Sequence, residues 1–330
     1  MENFLIIRTS SLGDVIHTLP AFAALRKKHP QARIAWAVEQ KGKEILDLVP
    51  GLDDIIVVGT PGWRKRIRNK NQAALDFQGL IKSGFIAFLS RSGKRLGYYR
   101  KNLKEPLASV FYTDRLEEVS EAGHVIGKNL KLLTLVGVNE EKYEFPLAVP
   151  NAIRNAVKEK IGRLGDRSGR KLVLFNVGAA WPTKRWFSEN WISVLKDLAS
   201  EPIFPLLLWG SPEEEAIARR IHQETGAHLA PFLSIKEIMA LLKDASLLVS
   251  GDTFAMQAAC ALDVPVVGIF GPTNPERNGP FLSRDKIAYH EIGCSRCYKR
   301  LCDSLECLKL VKPEEIALLI RQSLKEHASK

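Results

Sequence analysis

The sequence lacks the long apolar runs and the charged leader that would send a chain into or across a membrane. No apolar stretch approaches the ~20 residues needed to cross a bilayer. Met1-Glu2-Asn3 has no basic segment of the kind that opens a signal peptide. With 45% hydrophobic and 26% charged residues, the chain has the composition of a globular protein, not of a disordered or fibrous one. We therefore expect a cytoplasmic protein.

Two common nucleotide-binding signatures are missing as well. No GxGxxG follows an apolar run, and no GxxxxGK continues into Ser or Thr. Both patterns wrap backbone amides around phosphates, so their absence disfavours a simple dinucleotide dehydrogenase and a P-loop enzyme.

Cysteine is scarce, with five in the chain. Cys260 lies in an apolar helical pattern and is expected in the core. The other four follow a zinc-knuckle-like spacing, at Cys294, Cys297, Cys302 and Cys307. Bound zinc, a bridge and free thiols all stay open, although disulfides are uncommon in the cytoplasm.

Acidic residues are nearly absent from one segment. Between Pro61 and Lys104, Asp76 is the single acid against twelve basic residues, Arg64, Lys65, Arg66, Arg68, Lys70, Lys82, Arg91, Lys94, Arg95, Arg100, Lys101 and Lys104. The segment's net charge therefore equals the +11 of the whole chain. Such a concentration indicates an anionic partner: nucleic acid, an anionic membrane face, or a phosphorylated or carboxylated substrate. A solvated basic surface is the alternative.

Length and apolar pattern predict two α/β domains. A chain of 330 residues is too long for one ordinary core and suits two domains of roughly 150 residues. Strand-like runs alternate with helical patterns at residues 4–8, 33–38, 55–58 and 73–77, and again at 171–176, 203–209, 246–250 and 264–270. This alternation is typical of βαβ units around parallel sheets. Prolines and a polar turn between the series give domains 1–160 and 170–330, with a cleft between them.

A polar corner follows the first predicted strand. Residues 9–20 (TSSLGDVIHTLP) lead from the strand into an amphipathic helix, with Asp14 at its start. In open α/β sheets such corners hold ligands. The alternative is structural, because an acid at this position caps its own helix and is favoured by the helix dipole.

The second half has four similar corners. Lys184 follows the run 171–176, acids at 213–215 follow 203–209, Gly-Asp-Thr at 251–253 ends 246–250, and Gly-Pro-Thr at 271–273 ends 264–270. Asp252 and Thr253 open a helix whose amides can bind phosphate. Capping of that helix by the same two residues is the alternative.

Taken in order, these motifs resemble those of the lipopolysaccharide heptosyltransferases, the ADP-heptose glycosyltransferases of family 9. Seven segments carry the resemblance: residues 9–21, 76–83 (DFQGLIKS), 105–112 (EPLASVFY), 184–186 (KRW), 209–210 (WG), 251–253 (GDT) and 270–273 (FGPT). The segments around Gln78 and Glu105 are more similar to heptosyltransferase I than to heptosyltransferase II. The resemblance implies a GT-B fold of two Rossmann-like, doubly wound domains, with the acceptor bound by the first and the nucleotide sugar by the second.

The resemblance also implies individual roles. Asp14 would be the catalytic base for a hydroxyl of 3-deoxy-octulosonate (Kdo). The donor residues would be Lys184, Glu214, Leu233, Asp252, Thr253, Phe254 and Gln257, and the acceptor residues Ser11, Gly13, Arg64, Lys65, Lys82, Lys104 and His124. Lys184 would offset the charge that builds on ADP, so no metal or other cofactor is required. The expected reaction is inverting transfer of L-glycero-D-manno-heptose from ADP-heptose to Kdo-lipid A.

That acceptor is polyanionic and held in a membrane, so the basic segment would also dock the enzyme peripherally on the inner face of the bacterial inner membrane. No nucleic-acid partner is implied. The alternatives are heptosyltransferase II, a GT-B enzyme with another nucleotide sugar, and a basic membrane- or nucleic-acid-binding protein without catalysis. Phe254 and Gln257 stand where the family usually has glycine and histidine. For His17 we expect no chemical role.

Overall fold

The structure is a computed structural model that describes residues 3–68, 71–120, 122–282 and 284–326. The chain forms two compact units, residues 1–148 and 149–330. A six-stranded sheet lies in each unit, and every strand pair within the two sheets is parallel. The predicted α/β class is confirmed.

The first unit places its strands in the order β3-β2-β1-β4-β5-β6. They are β1 (Asn3–Ile7), β2 (Arg33–Val38), β3 (Asp54–Val57), β4 (Ala73–Asp76), β5 (Lys94–Gly97) and β6 (Asp114–Arg115). The helices are α1 (Leu12–Lys28), α2 (Gln40–Leu46), α3 (Trp63–Arg66), α4 (Ile81–Leu89) and α5 (Val125–Leu132), with 3-10 helices at Arg100–Asn102, Pro106–Phe111 and Leu133–Val136.

The second unit has the order β12-β11-β10-β7-β8-β9. Its strands are β7 (Lys171–Asn176), β8 (Ile203–Leu208), β9 (His228–Leu229), β10 (Leu247–Gly251), β11 (Val266–Ile269) and β12 (Lys286–Ala288). Its helices are α6 (Asn151–Gly162), α7 (Ser188–Asp197), α8 (Pro212–Thr225), α9 (Ile235–Lys243), α10 (Phe254–Ala261), α11 (Pro275–Asn278), α12 (Glu306–Lys309) and α13 (Pro313–Glu326), with a 3-10 helix at Pro182–Lys184.

Both units thus use the same strand order, since the second sheet counted from β7 also runs 3-2-1-4-5-6. This is the doubly wound Rossmann order, in which the direction of winding reverses between the first and fourth strands. The reversal falls between β1 and β4 in the first unit and between β7 and β10 in the second. Ligands of such sheets bind outside the carboxyl ends of the strands at this point.

The central strands are apolar on both faces because helices cover both sides of a doubly wound sheet. Phe4, Leu5, Ile6 and Ile7 of β1 are all buried, and so are all five residues of β10. Helix α1 buries a face that includes Val15, Leu19 and Phe22. Continuous apolar runs of this kind explain why the central strands could be located from the sequence.

Helix α6 belongs to the second unit, where the sequence had placed residues 151–160 in the first domain. Arg154 of α6 forms an ion pair with Asp244, just beyond α9, and Lys160 of α6 forms one with Glu237, within α9. The division therefore falls between residues 148 and 149, because α6 packs on the second sheet's own helices.

Within the described ranges, no helix is both long and apolar enough to cross a membrane.

Candidate active site

The polar corner after β1 lies at the reversal point of the first sheet. Ile7 at the end of β1 pairs with Asp76 at the end of β4, so the residues that follow these two strands are neighbours. Thr9 donates from its amide and its hydroxyl to Oε1 of Gln78, at 2.8 and 2.7 Å. The corner is therefore connected by hydrogen bonds to the side chain of Gln78, in the segment that follows β4, which we call the β4 loop.

Asp14 lies in the first turn of α1, with its carboxylate held on two sides. Oδ2 accepts hydrogen bonds from the amide and hydroxyl of Ser11, at 3.1 and 2.8 Å. Oδ1 lies 2.8 Å from an Nη of Arg8, and the Asp14 side chain keeps 37% of its surface exposed. Asp14 does cap its helix, as the structural alternative predicted, and it also presents a partly exposed carboxylate at the reversal point.

The pKa of Asp14 reflects two opposed effects. Burial of the carboxyl raises its pKa, but the positive charge of Arg8, the electrostatic interaction with His17 and the hydrogen bonds from Ser11 outweigh this and lower the pKa to about 2. The group is therefore ionised throughout the physiological range and can accept a proton.

Arg8 is a site residue that the sequence reasoning missed. It is buried, and one Nη donates to the carbonyl of Phe77 while the other reaches Asp14. Its own carbonyl accepts a hydrogen bond from Nε1 of Trp36 at 3.2 Å. An arginine directly after an apolar strand was the available signal, since a buried charge requires a partner.

Asp76 supports the β4 loop from inside the sheet. Its carboxylate accepts from the hydroxyls of Ser83 and Tyr112, at 2.8 and 2.7 Å, and from the amides of Gln78 and Gly79. Burial raises the pKa of Asp76, and the hydrogen bonds counter that effect. Gly79 adopts a φ of +71°, a left-handed turn that glycine allows at little cost. Together these bonds position Gln78 against Thr9.

The predicted acceptor residues are spread along the first unit. Ser11 and Gly13 belong to the polar corner after β1 itself. Lys82 on α4 pairs at 2.7 Å with Glu39, whose amide donates to the carbonyl of Thr9. The corner and Lys82 are therefore linked through one residue.

The remaining basic positions are on the surface. Arg64 and Lys65 are exposed on α3, with the Arg64 guanidinium 5.6 Å from the ring centre of Trp63. Lys104 is exposed just before the 3-10 helix Pro106–Phe111.

His124 precedes α5, and its Nδ1 accepts a hydrogen bond from the amide of Ile126. Its ring meets the ring of His17 edge-on at 5.2 Å. His17 is buried and contributes to the pKa of Asp14, which the sequence did not indicate.

The second unit has a matching corner at its reversal point, between β7 and β10. Nδ2 of Asn176 donates to the hydroxyls of Ser250 and Thr253, both at 3.0 Å. Thr253 precedes α10, so the unpaired first amides of that helix lie beside it. Hydroxyls and helix amides in this arrangement suit an anionic ligand such as a phosphate.

Lys184 brings a positive charge to the same corner. Its Nζ lies 2.7 Å from Oδ2 of Asp252 and 4.4 Å from the ring centre of Trp181. The guanidinium of Arg300 also stacks on Trp181, at 4.8 Å. A Cβ at Gly251 would come within 2.9 Å of the Lys184 carbonyl, so glycine permits this close approach. Trp181 and Arg300 were not identified from the sequence.

Glu214 lies at the start of α8. Oε2 accepts from the amide of Gly210 at 2.7 Å, and Oε1 lies 3.9 Å from Arg185. A Cβ on Gly178 would fall only 2.2 Å from the Glu214 carboxyl carbon. The carboxylate is therefore packed directly over the backbone that follows β7.

The other predicted donor positions are mostly enclosed. Leu233 is buried, beside an exposed Phe232 whose ring contacts Trp209 at 5.6 Å. Phe254 is half-buried as the first residue of α10. Gln257 is buried, and its Nε2 donates to the Asn278 carbonyl at 2.6 Å.

The cysteine-rich loop contains unbridged thiols. All five cysteines are free; Cys294 and Cys302 are exposed, Cys297 is half-buried, and Cys307 and Cys260 are buried. Burial raises the pKa of Cys307, and the neighbouring thiols raise it further. In the part of the chain that the structure describes, no group of three or more His, Cys, Asp or Glu side chains could hold a metal ion.

Two parallel sheets of Rossmann order, each with a polar corner at its reversal point, define a protein of the GT-B class. Solved structures with the same fold include "E. coli heptosyltransferase WaaC with ADP" (TM-score 0.77, 23% identity, 97% of this chain and 99% of that one). Another is "E. coli ADP-heptose lps heptosyltransferase II" (TM-score 0.81, 18% identity, 99% and 100%).

The sequence comparisons give the family. The model of "Glycosyltransferase family 9 (heptosyltransferase)" matches residues 63–308, and the chain belongs to this family. It is therefore a glycosyltransferase. Lipopolysaccharide heptosyltransferase 1 of Pseudomonas aeruginosa is 29% identical to it over 316 residues, 90% of this chain and 86% of the relative. The Escherichia coli K12 protein of the same name is 27% identical over 290 residues, 82% and 88%. Asp14 lies outside the range of the family model.

Proposed function

We propose that this chain is an inverting heptosyltransferase that moves L-glycero-D-manno-heptose from ADP-heptose to Kdo of Kdo-lipid A, in the lipopolysaccharide inner core. The observation that carries the proposal is the ionised Asp14 carboxylate at the reversal point of the first sheet, held by Arg8 at 2.8 Å and partly exposed. Similarity to lipopolysaccharide heptosyltransferase 1 of two bacteria supports the sugar and the pathway.

Asp14 is proposed as the catalytic base. The acceptor oxygen forms a bond to the anomeric carbon from the face opposite ADP, and the bond from that carbon to the β-phosphate oxygen breaks with its electron pair. The acceptor proton passes to Asp14. A carboxylate with a pKa of about 2 is a weak base, so proton transfer occurs late, when the attacking oxygen has become acidic. Because Arg8 lowers the pKa of Asp14, the protonated Asp14 carboxyl then loses its proton readily.

The corner after β7 and β10 is proposed to hold the ADP diphosphate. Lys184 supplies a positive charge, Thr253 its hydroxyl and the amides of α10, and Asp252 keeps Lys184 in position at 2.7 Å. This set offsets the charge of the leaving diphosphate, and we propose that no metal ion or other cofactor is required. Glu214 is assigned to ribose hydroxyls, Leu233 to adenine, and Phe254 and Gln257 to the same donor site.

The first unit, residues 1–148, is proposed as the acceptor domain and the second as the donor domain. Ser11, Gly13, Arg64, Lys65, Lys82, Lys104 and His124 would bind the anionic acceptor. Because lipid A anchors the acceptor in a bilayer, we place the enzyme peripherally on the cytoplasmic face of the inner membrane, with an anionic membrane surface as a partner and no nucleic acid.

Heptosyltransferase II is the second candidate, since its Escherichia coli representative shares the fold at a TM-score of 0.81 against 0.77 for WaaC. Fold similarity does not separate the two acceptors, so the assay must. ADP release and product mass would be measured with ADP-heptose on Kdo-lipid A and on heptosyl-Kdo-lipid A, with other nucleotide sugars as parallel donors. Turnover on Kdo-lipid A supports the proposal. Turnover on the heptosylated acceptor alone assigns the second activity, and no turnover with any heptose donor overturns both.

A further inference from the structure

Helix α4 is apolar on two opposite faces. The inner face, with Ile86 and Ala87, is buried in the unit. The outer face presents Ile81, Phe85 and Phe88, at spacings of four and three residues, and Phe85 and Phe88 keep 45% and 53% of their surface exposed. A surface helix normally carries polar residues on its solvent side. Two large exposed rings on one helix therefore indicate a surface that contacts another phase or molecule.

The 3-10 helix Pro106–Phe111 extends this surface. Leu107 and Val110 are 63% and 68% exposed, and the ring of Phe111 meets those of Phe85 and Phe88 at 5.9 and 6.2 Å. Gly84 permits the contact, because a Cβ there would fall 2.9 Å from the Phe111 ring and 3.1 Å from the Ala108 carbonyl. We call Ile81, Phe85, Phe88, Leu107, Val110 and Phe111 the aromatic patch.

Arginines are fixed at the edges of the aromatic patch. Nε of Arg95 donates to the Phe111 carbonyl at 2.8 Å, Nε of Arg115 to Ser109 at 3.1 Å, and Nε of Arg68 to Leu89 at 3.1 Å. These acceptors are neutral backbone carbonyls, so the bonds orient the guanidinium groups without cancelling their charge. Exposed Lys104 adds positive charge just before the 3-10 helix, whereas the charge of Lys82 on α4 is paired with Glu39.

We infer that the aromatic patch and its arginine edge form the surface on which this protein docks to a bilayer containing anionic phospholipids. Aromatic and aliphatic side chains at this position enter the boundary between headgroups and acyl chains, while arginines and lysines bind the lipid phosphates. The inference rests on the proposed function, which places the acceptor in a membrane, and names the face that meets the lipid. A second copy of the chain is a poorer occupant, because a twofold interface here would bring like-charged arginine edges together.

Sedimentation with vesicles tests this without any sugar substrate. The full chain would be mixed with vesicles of phosphatidylcholine alone and of phosphatidylcholine with phosphatidylglycerol, at low and high salt. We expect binding to the anionic vesicles that weakens as salt is added. The double variant Phe85→Ser/Phe88→Ser should reduce the partition coefficient about tenfold or more. Leu107→Ser/Val110→Ser should act in the same direction, and covers the case in which the first variant folds poorly.

The matched control is Leu301→Ser/Leu318→Ser, which removes two exposed leucines from the second unit and should bind vesicles as the wild type does. Equal vesicle binding by wild type and both patch variants overturns the inference, as does a wild-type dimer in light scattering that these variants dissociate. Activity separates the two proposals. The patch variants should keep wild-type turnover on a deacylated, water-soluble Kdo acceptor, so loss of heptose transfer with vesicle binding intact would remove the proposed function alone.

Discussion

Arg8 and Asp14 form an ion pair of 2.8 Å across the corner between β1 and α1, and this pair joins the end of a buried strand to the first turn of a helix. The arginine also donates to Phe77, so one side chain links the two strands at the reversal point to the carboxylate proposed as the base. The pair fixes both the position of Asp14 and its ionisation.

Replacing Asp14 by Asn should abolish most of the activity while leaving the fold intact. The amide retains an oxygen that can accept from Ser11, but it cannot take a proton. We expect kcat to fall by about 10²–10⁴ with a small change in KM. Circular dichroism on the same sample is the control for folding. Wild-type kcat in a folded Asp14→Asn enzyme would reject Asp14 as the base.

Replacing Arg8 by Gln should move the pH profile. With the positive charge of Arg8 removed, only His17 and the hydrogen bonds from Ser11 still counter the effect of burial. The pKa of Asp14 should therefore rise, and the acidic limb of kcat/KM should shift to higher pH. The wild-type carboxyl has a lowered pKa, so its contribution to folding stability is present above an ordinary aspartate pKa and disappears as pH falls towards 2. Part of that contribution should vanish in Arg8→Gln. An unshifted acidic limb would show that Arg8 does not set the ionisation of Asp14.

Removing the charge of Lys184 should weaken both donor binding and turnover. Lys184→Gln leaves Asp252 without its partner at 2.7 Å and leaves the proposed diphosphate without its cation. We expect kcat to drop by about 10²–10³ and ADP to bind more weakly by calorimetry. Lys158→Gln, at an exposed lysine on α6, serves as the control and should match the wild type. Unchanged ADP affinity in Lys184→Gln would contradict the assignment.

A methyl group at Gly178 should displace Glu214. The new Cβ would lie 2.2 Å from the carboxyl carbon, so either the carboxylate or the backbone must move, at a cost of about 1–3 kcal/mol in the free energy of unfolding. The KM for the donor should rise if Glu214 binds it. Gly162→Ala, where a Cβ meets nothing within 4 Å, should be neutral or slightly stabilising in urea titrations. Equal stability of the Gly178→Ala and Gly162→Ala variants would argue against close packing of the Glu214 carboxylate over Gly178.

The central strands and the polar corners could be predicted from the sequence because buried parallel strands are continuous apolar runs, and a corner stands out where such a run stops. Two short polar strands of the first sheet could not be predicted: β5 begins Lys-Arg and β6 is Asp-Arg, so neither has an apolar run. The side of the boundary on which helix α6 lies could not be predicted either, because a charged amphipathic helix next to a linker gives no indication of which sheet it packs against.

Functional side chains that act through another residue could not be predicted from the sequence either. Arg8 is adjacent to the corner in sequence, but its bond to Phe77 depends on β1 pairing with β4. The aromatic patch was invisible for a similar reason: an apolar residue on either face of α4 has the same helical spacing, and only the folded unit shows which face is left exposed.

The shared strand order affects how the chain assembles as it is synthesised. In each sheet the first strand pairs with the fourth, so β1 must wait for residue 76 and β7 for residue 250 before its corner is enclosed. A nascent chain that has emerged only to β3 already contains Asp14 and Arg8 but lacks Phe77 and Gln78, the two residues that fix the corner from the other side. The proposed base is therefore held from both sides only after β4 and the residues that follow it have been synthesised and the middle of the sheet has closed.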